Sequence, residues 1–306
     1  MIIAQSLFFG STLSVIGLSF LKMFRLVIST LYFLLCSTSF AQVNIWENTS
    51  CSKKVELTPF LVSGSNNPAI IVCPGGSYFW HDTENEGHLV AEWLQGNGIS
   101  AFVLRYRTAY VPAFVTHYRY VFRGNRYPDP QNDLKQSICH IKENAMDYGI
   151  DTDRIGVIGF SAGGHLAMSS VELFDKSDWP SFIVCVYPVV TMTEESVHKR
   201  SRRGLLGESK VKNEYLKDIL SLERHVPEGC PPVFLVNCKD DPIVDYRNSE
   251  LLDSALTTKK VPHLYLQYQT GGHGFGASET KGSPECRQWK QAFLDWFTTN
   301  FIQKPF

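Results

Sequence analysis

The 306-residue chain lacks an excess of charge of either sign: 29 Lys and Arg stand against 30 Asp and Glu, a formal net charge of −1. That balance excludes a global basic field able to draw the protein to nucleic acid or to an anionic membrane. There is no Cys-x-x-Cys spacing, which argues against a zinc ribbon and a thioredoxin-type redox motif. No grouping of residues calls for a metal or a cofactor. Internal repeats, low-complexity tracts and Pro/Ser-rich linkers are all missing after residue 42. One domain over residues 42–306 is therefore expected.

Charge is also missing from residues 1–21. Lys22 and Arg25 follow, and a second uncharged run extends from Leu26 to Ala41. A secretory signal needs a positive start, an apolar stretch and a small-residue cleavage site. Met23-Phe24-Arg25, Leu26 to Cys36 and Ser39-Phe40-Ala41 supply them in that order, with cleavage before Gln42 and Met23 as the true start. The competing reading is a membrane anchor over residues 1–21, just long enough to span. The signal reading accounts for the second run as well. Leu35-Cys36 suggests a lipoprotein signal, which a bulky Leu before the Cys fits poorly. Residues 1–41 are thus read as a targeting segment, and the mature chain is expected outside the cytosol, secreted or periplasmic, without stable membrane association. Seven of the eight cysteines remain after cleavage: 51, 73, 139, 185, 230, 238 and 286. Cys73 and Cys185 lie in apolar runs and read as buried small hydrophobes. A Cys230–Cys238 bridge is left open.

Short apolar runs alternate with helical patterns along the rest of the chain. Strands are predicted at Ala69–Cys73, Ser100–Arg105, Arg154–Gly159, Phe182–Tyr187, Val233–Asn237 and Leu264–Gln269. Their near-continuous hydrophobicity suits strands buried on both faces of a parallel sheet. Amphipathic helices are predicted at Glu86–Gln95, Asp133–Tyr148 and Pro284–Phe301. This alternation implies a mostly parallel, doubly wound α/β sheet. Ligands bind such sheets at the carboxyl ends of the strands.

Three strand ends carry the chemistry. Gly159-Phe160-Ser161-Ala162-Gly163 joins a predicted strand to a helix start, the context of a nucleophile elbow. A serine hydroxyl needs a base, and the base needs an orienting carboxylate. Lys239-Asp240-Asp241-Pro242-Ile243-Val244 and Gly271-Gly272-His273-Gly274-Phe275 follow later strands in the order acid, then His. The pattern Asp-x-x-Val favours Asp241 as the acid; Asp240, the alternative, would cap the turn. The oxyanion donors are assigned to the N–H groups of Gly76 or Ser77, in Cys73-Pro74-Gly75-Gly76-Ser77, together with Ala162. His165 reads as a helix-packing residue rather than a participant.

Cys73-Pro74-Gly75-Gly76, then Glu84, Glu86-Gly87 and Ala101-Phe102-Val103-Leu104-Arg105-Tyr106-Arg107, together with Gly159–His165 and Pro232–Val244, resemble the α/β-hydrolase superfamily, and within it the bacterial acetylxylan and feruloyl esterase-like hydrolases. Ser77 stands where a third glycine is common, and Asn237-Cys238 stands where many relatives carry a His before the acid. The resemblance implies an α/β-hydrolase fold without a separate large cap domain. It also implies a secreted serine esterase that removes acetyl or other acyl groups from xylan-like carbohydrate or a small-molecule ester.

Residues 106–127 look like an insertion over the site, and seven of these 22 residues are aromatic. Aromatic rings stack on sugar faces, so Tyr106, Tyr110 and Tyr118, with Tyr78, are candidate substrate contacts; ordinary packing of a long loop is the alternative. The basic run His198-Lys199-Arg200-Ser201-Arg202-Arg203 reads as a solvated loop, with contact to an acidic sugar as the lesser alternative. Other functions remain in view: a prolyl-oligopeptidase-like serine peptidase, a lipase or short-chain esterase, and a non-catalytic binding protein on the same fold.

Overall fold

The computed structural model describes residues 42–47, 49, 53–115 and 124–303. The predicted targeting segment, Cys51, and Tyr118, Tyr120 and Phe122 of the aromatic insertion lie outside the described residues.

One eight-stranded sheet organises the described residues. Its strands in chain order are β1 (Val43–Asn44), β2 (Glu56–Phe60), β3 (Asn67–Cys73), β4 (Ser100–Arg105), β5 (Ile150–Phe160), β6 (Ile183–Val186), β7 (Val233–Cys238) and β8 (His263–Tyr268). Across the sheet the order is β1-β2-β4-β3-β5-β6-β7-β8. β3 to β8 pair in parallel, while β1 and β2 add an antiparallel edge. All six predicted strands are present. β1 and β2 were not predicted, since two residues and Glu-Leu-Thr-Pro-Phe are too short and mixed to signal a strand.

The central strands are buried along their length because helices cover both faces. One core cluster places Ile71, Val157, Cys185 and Leu235 against Leu134 and Ile138 of the helix Asp129–Glu143, Leu166 of the helix Ala162–Leu173 and Leu252 of the helix Arg247–Thr258. The other places Ile70, Val72, Ile158, Val184 and Val236 against Val90 and Leu94 of the helix Leu89–Gly96 and Trp289 and Phe293 of the helix Trp289–Phe297. Successive strand residues alternate between the two clusters, as the pleat requires.

The chain leaves β3 for β4 on one side, then returns past β3 to place β5 on the other. The loops that follow β3 and β5 therefore flank the point where the winding reverses, where a crevice opens. The predicted helix over Glu86–Gln95 begins with a π-turn at Glu84–His88 before the α-helix takes over. The basic run is not a solvated loop: Lys199–Leu206 is a helix with Ser201, Gly204, Leu205 and Leu206 buried. Its arginines mask the apolar stripe in the sequence, and Arg203 lies over the rings of Phe79 and Phe114.

Candidate active site

At the end of β5 the backbone turns through Ser161, held at φ 54° and ψ −118°. An L-residue there is strained by about 1–3 kcal/mol, so its surroundings must impose it. The Ser161 N–H donates to Val186 O at 3.0 Å, and Ser161 O accepts from Gly164 N and Val189 N. The flanking glycines are steric necessities. A Cβ on Gly159 would lie 1.9 Å from Gly163 O, and one on Gly163 would lie 2.0 Å from Cys73 O.

His273 Nε2 lies 3.0 Å from Ser161 Oγ, and His273 Nδ1 lies 2.6 Å from Asp241 Oδ2. A carboxylate beside Nδ1 sets the tautomer, leaving Nε2 to accept the serine proton. Asp241 is itself fixed, since its Oδ1 accepts from Ile243 N at 2.8 Å and Val244 N at 3.0 Å. Its side chain is 1% exposed. Asp240 takes a different part: its two oxygens accept from the N–H groups of Gly271 and Gly272, tying the acid loop to the histidine loop. The structure thus brings Ser161, His273 and Asp241 into one hydrogen-bonded line at the carboxyl ends of β5, β7 and β8.

The loop after β3 is pressed against the elbow. A Cβ on Gly75 would meet Glu86 Oε2 at 2.6 Å, Phe160 O at 2.8 Å and Ser161 Cβ at 2.9 Å. Gly76, Ser77 and Tyr78 all have positive φ, 135°, 55° and 62°. That turn closes on itself, with Phe79 N and Trp80 N donating to Gly76 O. The Gly75 N–H is taken by Glu86 Oε2 at 2.7 Å. Among the described residues none accepts from the N–H groups of Gly76, Ser77 or Ala162. Ala162 is the first residue of its helix, where an N–H has no intrahelical partner.

Two of the tyrosines proposed as a sugar platform are internal props instead. Tyr78 and Tyr106 are each 1% exposed. Tyr78 donates its hydroxyl to His165 Nδ1 at 2.8 Å, while His165 Nε2 donates to Leu220 O. Tyr106 donates to Pro74 O at 2.6 Å. Buried tyrosines satisfy their hydroxyls locally, and these two brace the loop after β3 from beneath. Tyr110, at 55% exposure, remains available to a ligand.

Glu86 is the residue that sequence reasoning assigned no role. It is buried, and desolvation raises its pKa against the lowering effects of Tyr187, His273 and Gly75. Besides Gly75 N, it accepts from the Tyr187 hydroxyl at 2.8 Å through Oε1. Tyr187 in turn accepts from Gly276 N at 3.0 Å, and its ring lies 4.5 Å from that of His273. Asn85 Nδ2 adds a bond to Gly274 O at 2.7 Å. The sequence signal for Glu86 is its place in the resemblance alone. His198, at the start of the helix Lys199–Leu206, has its pKa lowered to about 4 by burial first, then by Arg200 and His273.

The six described cysteines are free thiols. Cys230 and Cys238 do not bridge; the neighbour of the Cys238 sulfur is Cys286, both lying within 2.6 Å of where a Cβ on Gly271 would stand. Among the described residues no group of His, Cys, Asp and Glu is placed to hold a metal ion.

A parallel sheet with a strained serine between strand and helix, facing a histidine and a carboxylate from later strands, defines an α/β-hydrolase. The chain belongs to the prolyl oligopeptidase family of such hydrolases, whose model matches residues 122–303. The BD-FAE family model matches residues 61–175. Endo-1,4-beta-xylanase B of Butyrivibrio fibrisolvens is 30% identical over 249 residues, covering 76% of this chain and 37% of that one. The acetylxylan esterase of Xylanibacter ruminicola is 29% identical over 231 residues, covering 75% and 45%. The chain thus spans less than half the length of these two relatives. Among solved structures, the acetyl ester-xyloside bifunctional hydrolase of Caldicellulosiruptor lactoaceticus is 32% identical with a TM-score of 0.74, covering 85% of this chain and 96% of that one.

Proposed function

We propose that the protein is a serine esterase that removes acetyl or other small acyl groups from carbohydrate. The observation that carries this reading is the Ser161–His273–Asp241 line of hydrogen bonds. Ser161 Oγ attacks the ester carbonyl carbon while its proton passes to His273 Nε2. The carbonyl oxygen, now negative, is held by N–H groups of Gly76 or Ser77 and of Ala162. When the C–O bond to the alcohol breaks, His273 returns the proton to the leaving oxygen. Water then attacks the acyl-serine with His273 again as base, which releases the carboxylic acid and restores Ser161. Asp241 orients the imidazole and stabilises its cation throughout.

The carbohydrate alcohol is supported by a relative named acetylxylan esterase and a structural neighbour named acetyl ester-xyloside bifunctional hydrolase. The family match keeps a peptidase activity as the second reading. Export, with cleavage before Gln42, belongs to the same proposal; among the described residues no helix is long and apolar enough to cross a membrane. The test is labelling by a fluorophosphonate probe, with turnover of p-nitrophenyl acetate, longer acyl esters, acetylated xylo-oligosaccharides and a peptide amide. Labelling and acetyl ester turnover lost in Ser161→Ala are expected. Cleavage of the peptide in preference to the esters would replace the esterase reading.

A further inference from the structure

A cavity of about 420 Å³ opens beside the end of β4, away from the catalytic line. In strand order β4 stands two places from β5, with β3 between them. At about 4.8 Å per strand, that sets the cavity roughly 10 Å along the sheet from Ser161. Its wall on the near side continues the loop that presents Gly76. Trp80 lines the cavity, and a Cβ on Gly76 would lie 2.1 Å from Trp80 O. A ligand in the cavity and an ester at Ser161 would therefore sit on opposite flanks of one loop.

Three features of the lining point to one ligand chemistry. The first is charge. Lys54 and Arg105 converge on Glu56, at 3.0 Å and 2.9 Å, so two cations share one carboxylate. Both are mostly exposed, 76% and 59%. The second is an unmet acceptor. His81 donates one ring N–H to the Tyr106 backbone, and its Nε2 is buried with no partner among the described residues. Burial first, and the Arg105 charge second, lower the His81 pKa to about 4, so that Nε2 carries a lone pair at neutral pH. A buried acceptor of this kind is costly unless a ligand hydroxyl fills it. The third is an aromatic lip. Tyr110 is 55% exposed and held at φ 66°, a conformation that costs free energy in a non-glycine residue.

We infer that this cavity is a subsite for a sugar that bears a carboxylate, carried on the same carbohydrate chain as the ester. The carboxylate meets Arg105 and Lys54, a ring hydroxyl donates to His81 Nε2, and the sugar face lies on Tyr110 and Trp80. This inference rests on the proposed esterase reading for its benefit to turnover, but not for binding itself. It names a substrate class, acidic acylated polysaccharide, that the catalytic residues alone do not select.

The probe is a xylo-oligosaccharide with a glucuronic acid side group, and its partner is the same compound with that carboxyl reduced to the alcohol. Binding to the Ser161→Ala protein is measured by calorimetry. The acidic compound should bind about tenfold tighter than the reduced one, the worth of a charge-assisted hydrogen bond. Arg105→Gln in that background should erase the difference; Arg105 is the last residue of β4, its exposed side chain paired with Glu56, and its loss should leave thermal melting nearly unchanged. With the Ser161 enzyme, kcat/KM for the acetylated acidic compound should exceed that for the reduced one by a similar factor, and Arg105→Gln should lower it without changing p-nitrophenyl acetate turnover. Equal binding of the two compounds, or a preference that survives Arg105→Gln, overturns the subsite. Preferential binding with no ester turnover by the Ser161 enzyme would leave the subsite standing and sink the esterase reading instead.

Discussion

Tyr187 donates its hydroxyl to Glu86 Oε1 at 2.8 Å, and that one bond joins the loop after β3 to the histidine loop. Glu86 holds Gly75 N on one side, and Tyr187 holds Gly276 N on the other. The pair does not touch Ser161, yet it fixes two loops that the proposed reaction would need in register. Glu86→Gln keeps the shape but turns one acceptor into an amide donor, facing either Gly75 N–H or the tyrosine. An unsatisfied buried donor costs about 1–3 kcal/mol. Misplaced loops should lower kcat by about 10²-fold while KM for p-nitrophenyl acetate changes little. Steady-state kinetics with thermal melting checks this. A kcat fall no larger than the melting shift explains would make Glu86 merely structural.

Asp240 and Asp241 are adjacent, but the structure gives them different work. Asp241→Asn removes the acceptor that holds the His273 tautomer, so kcat should drop by about 10⁴-fold. Asp240→Asn loses one of the two bonds to Gly271 and Gly272, which should cost less than about tenfold. Comparing the two variants on p-nitrophenyl acetate decides the matter. Equal losses would mean that Asp240 also acts on the imidazole.

The strand core and the elbow were legible because their signals are local. Gly159, Ser161 and Gly163 sit within five residues, and each strand of the parallel core is an apolar run. Asp241 and His273 were legible as strand-end residues in the right order. Choosing Asp241 over Asp240 depended on a short pattern, and the distinction is one of which way two neighbouring carboxylates point. Tyr78 and Tyr106 were misread because an aromatic residue near a site looks the same in sequence whether it faces solvent or a buried partner; only His165 and Pro74 O, 87 and 32 residues away, reveal the difference. Glu86 was missed for the same reason. Its partner Tyr187 lies 101 residues away, and nothing local marks a buried carboxylate.

The buried His165 should make the protein acid-sensitive. Burial lowers its pKa to about 4 from the ordinary 6.5. Above pH 6.5 both folded and unfolded chains hold it neutral, and it costs nothing. As pH falls from 6.5 toward 4 the unfolded chain takes up a proton that the folded one refuses. Stability is lost at about 1.4 kcal/mol per pH unit, on the order of 3 kcal/mol over the window. His165→Gln should melt lower at pH 7.5, since Tyr78 and Leu220 O lose an ideal partner, but its melting temperature should decline less steeply between pH 6.5 and 4. Parallel declines in both proteins would assign the acid sensitivity to other groups, such as His81 and His198.

Gly75→Ala tests whether the loop after β3 must press on the elbow. Gly75 lies outside the left-handed region, so alanine brings no backbone strain of its own; the conflict is purely one of space. The new methyl group would stand 2.6 Å from Glu86 Oε2, 2.8 Å from Phe160 O and 2.9 Å from Ser161 Cβ. Phe160 and Ser161 are pinned by β5 and by Val186 O, so the loop must yield, carrying Gly76 and Ser77 away from the serine. Losing one well-placed oxyanion donor costs about 10²–10³-fold in kcat. A loss of that size is expected for p-nitrophenyl acetate. Fluorophosphonate labelling of Ser161 should slow to a similar degree, since its phosphonyl oxygen uses the same donors. Such a protein would keep the Ser161–His273 bond and still lack its rate. Wild-type turnover by Gly75→Ala would mean that the oxyanion is held by some other part of the chain.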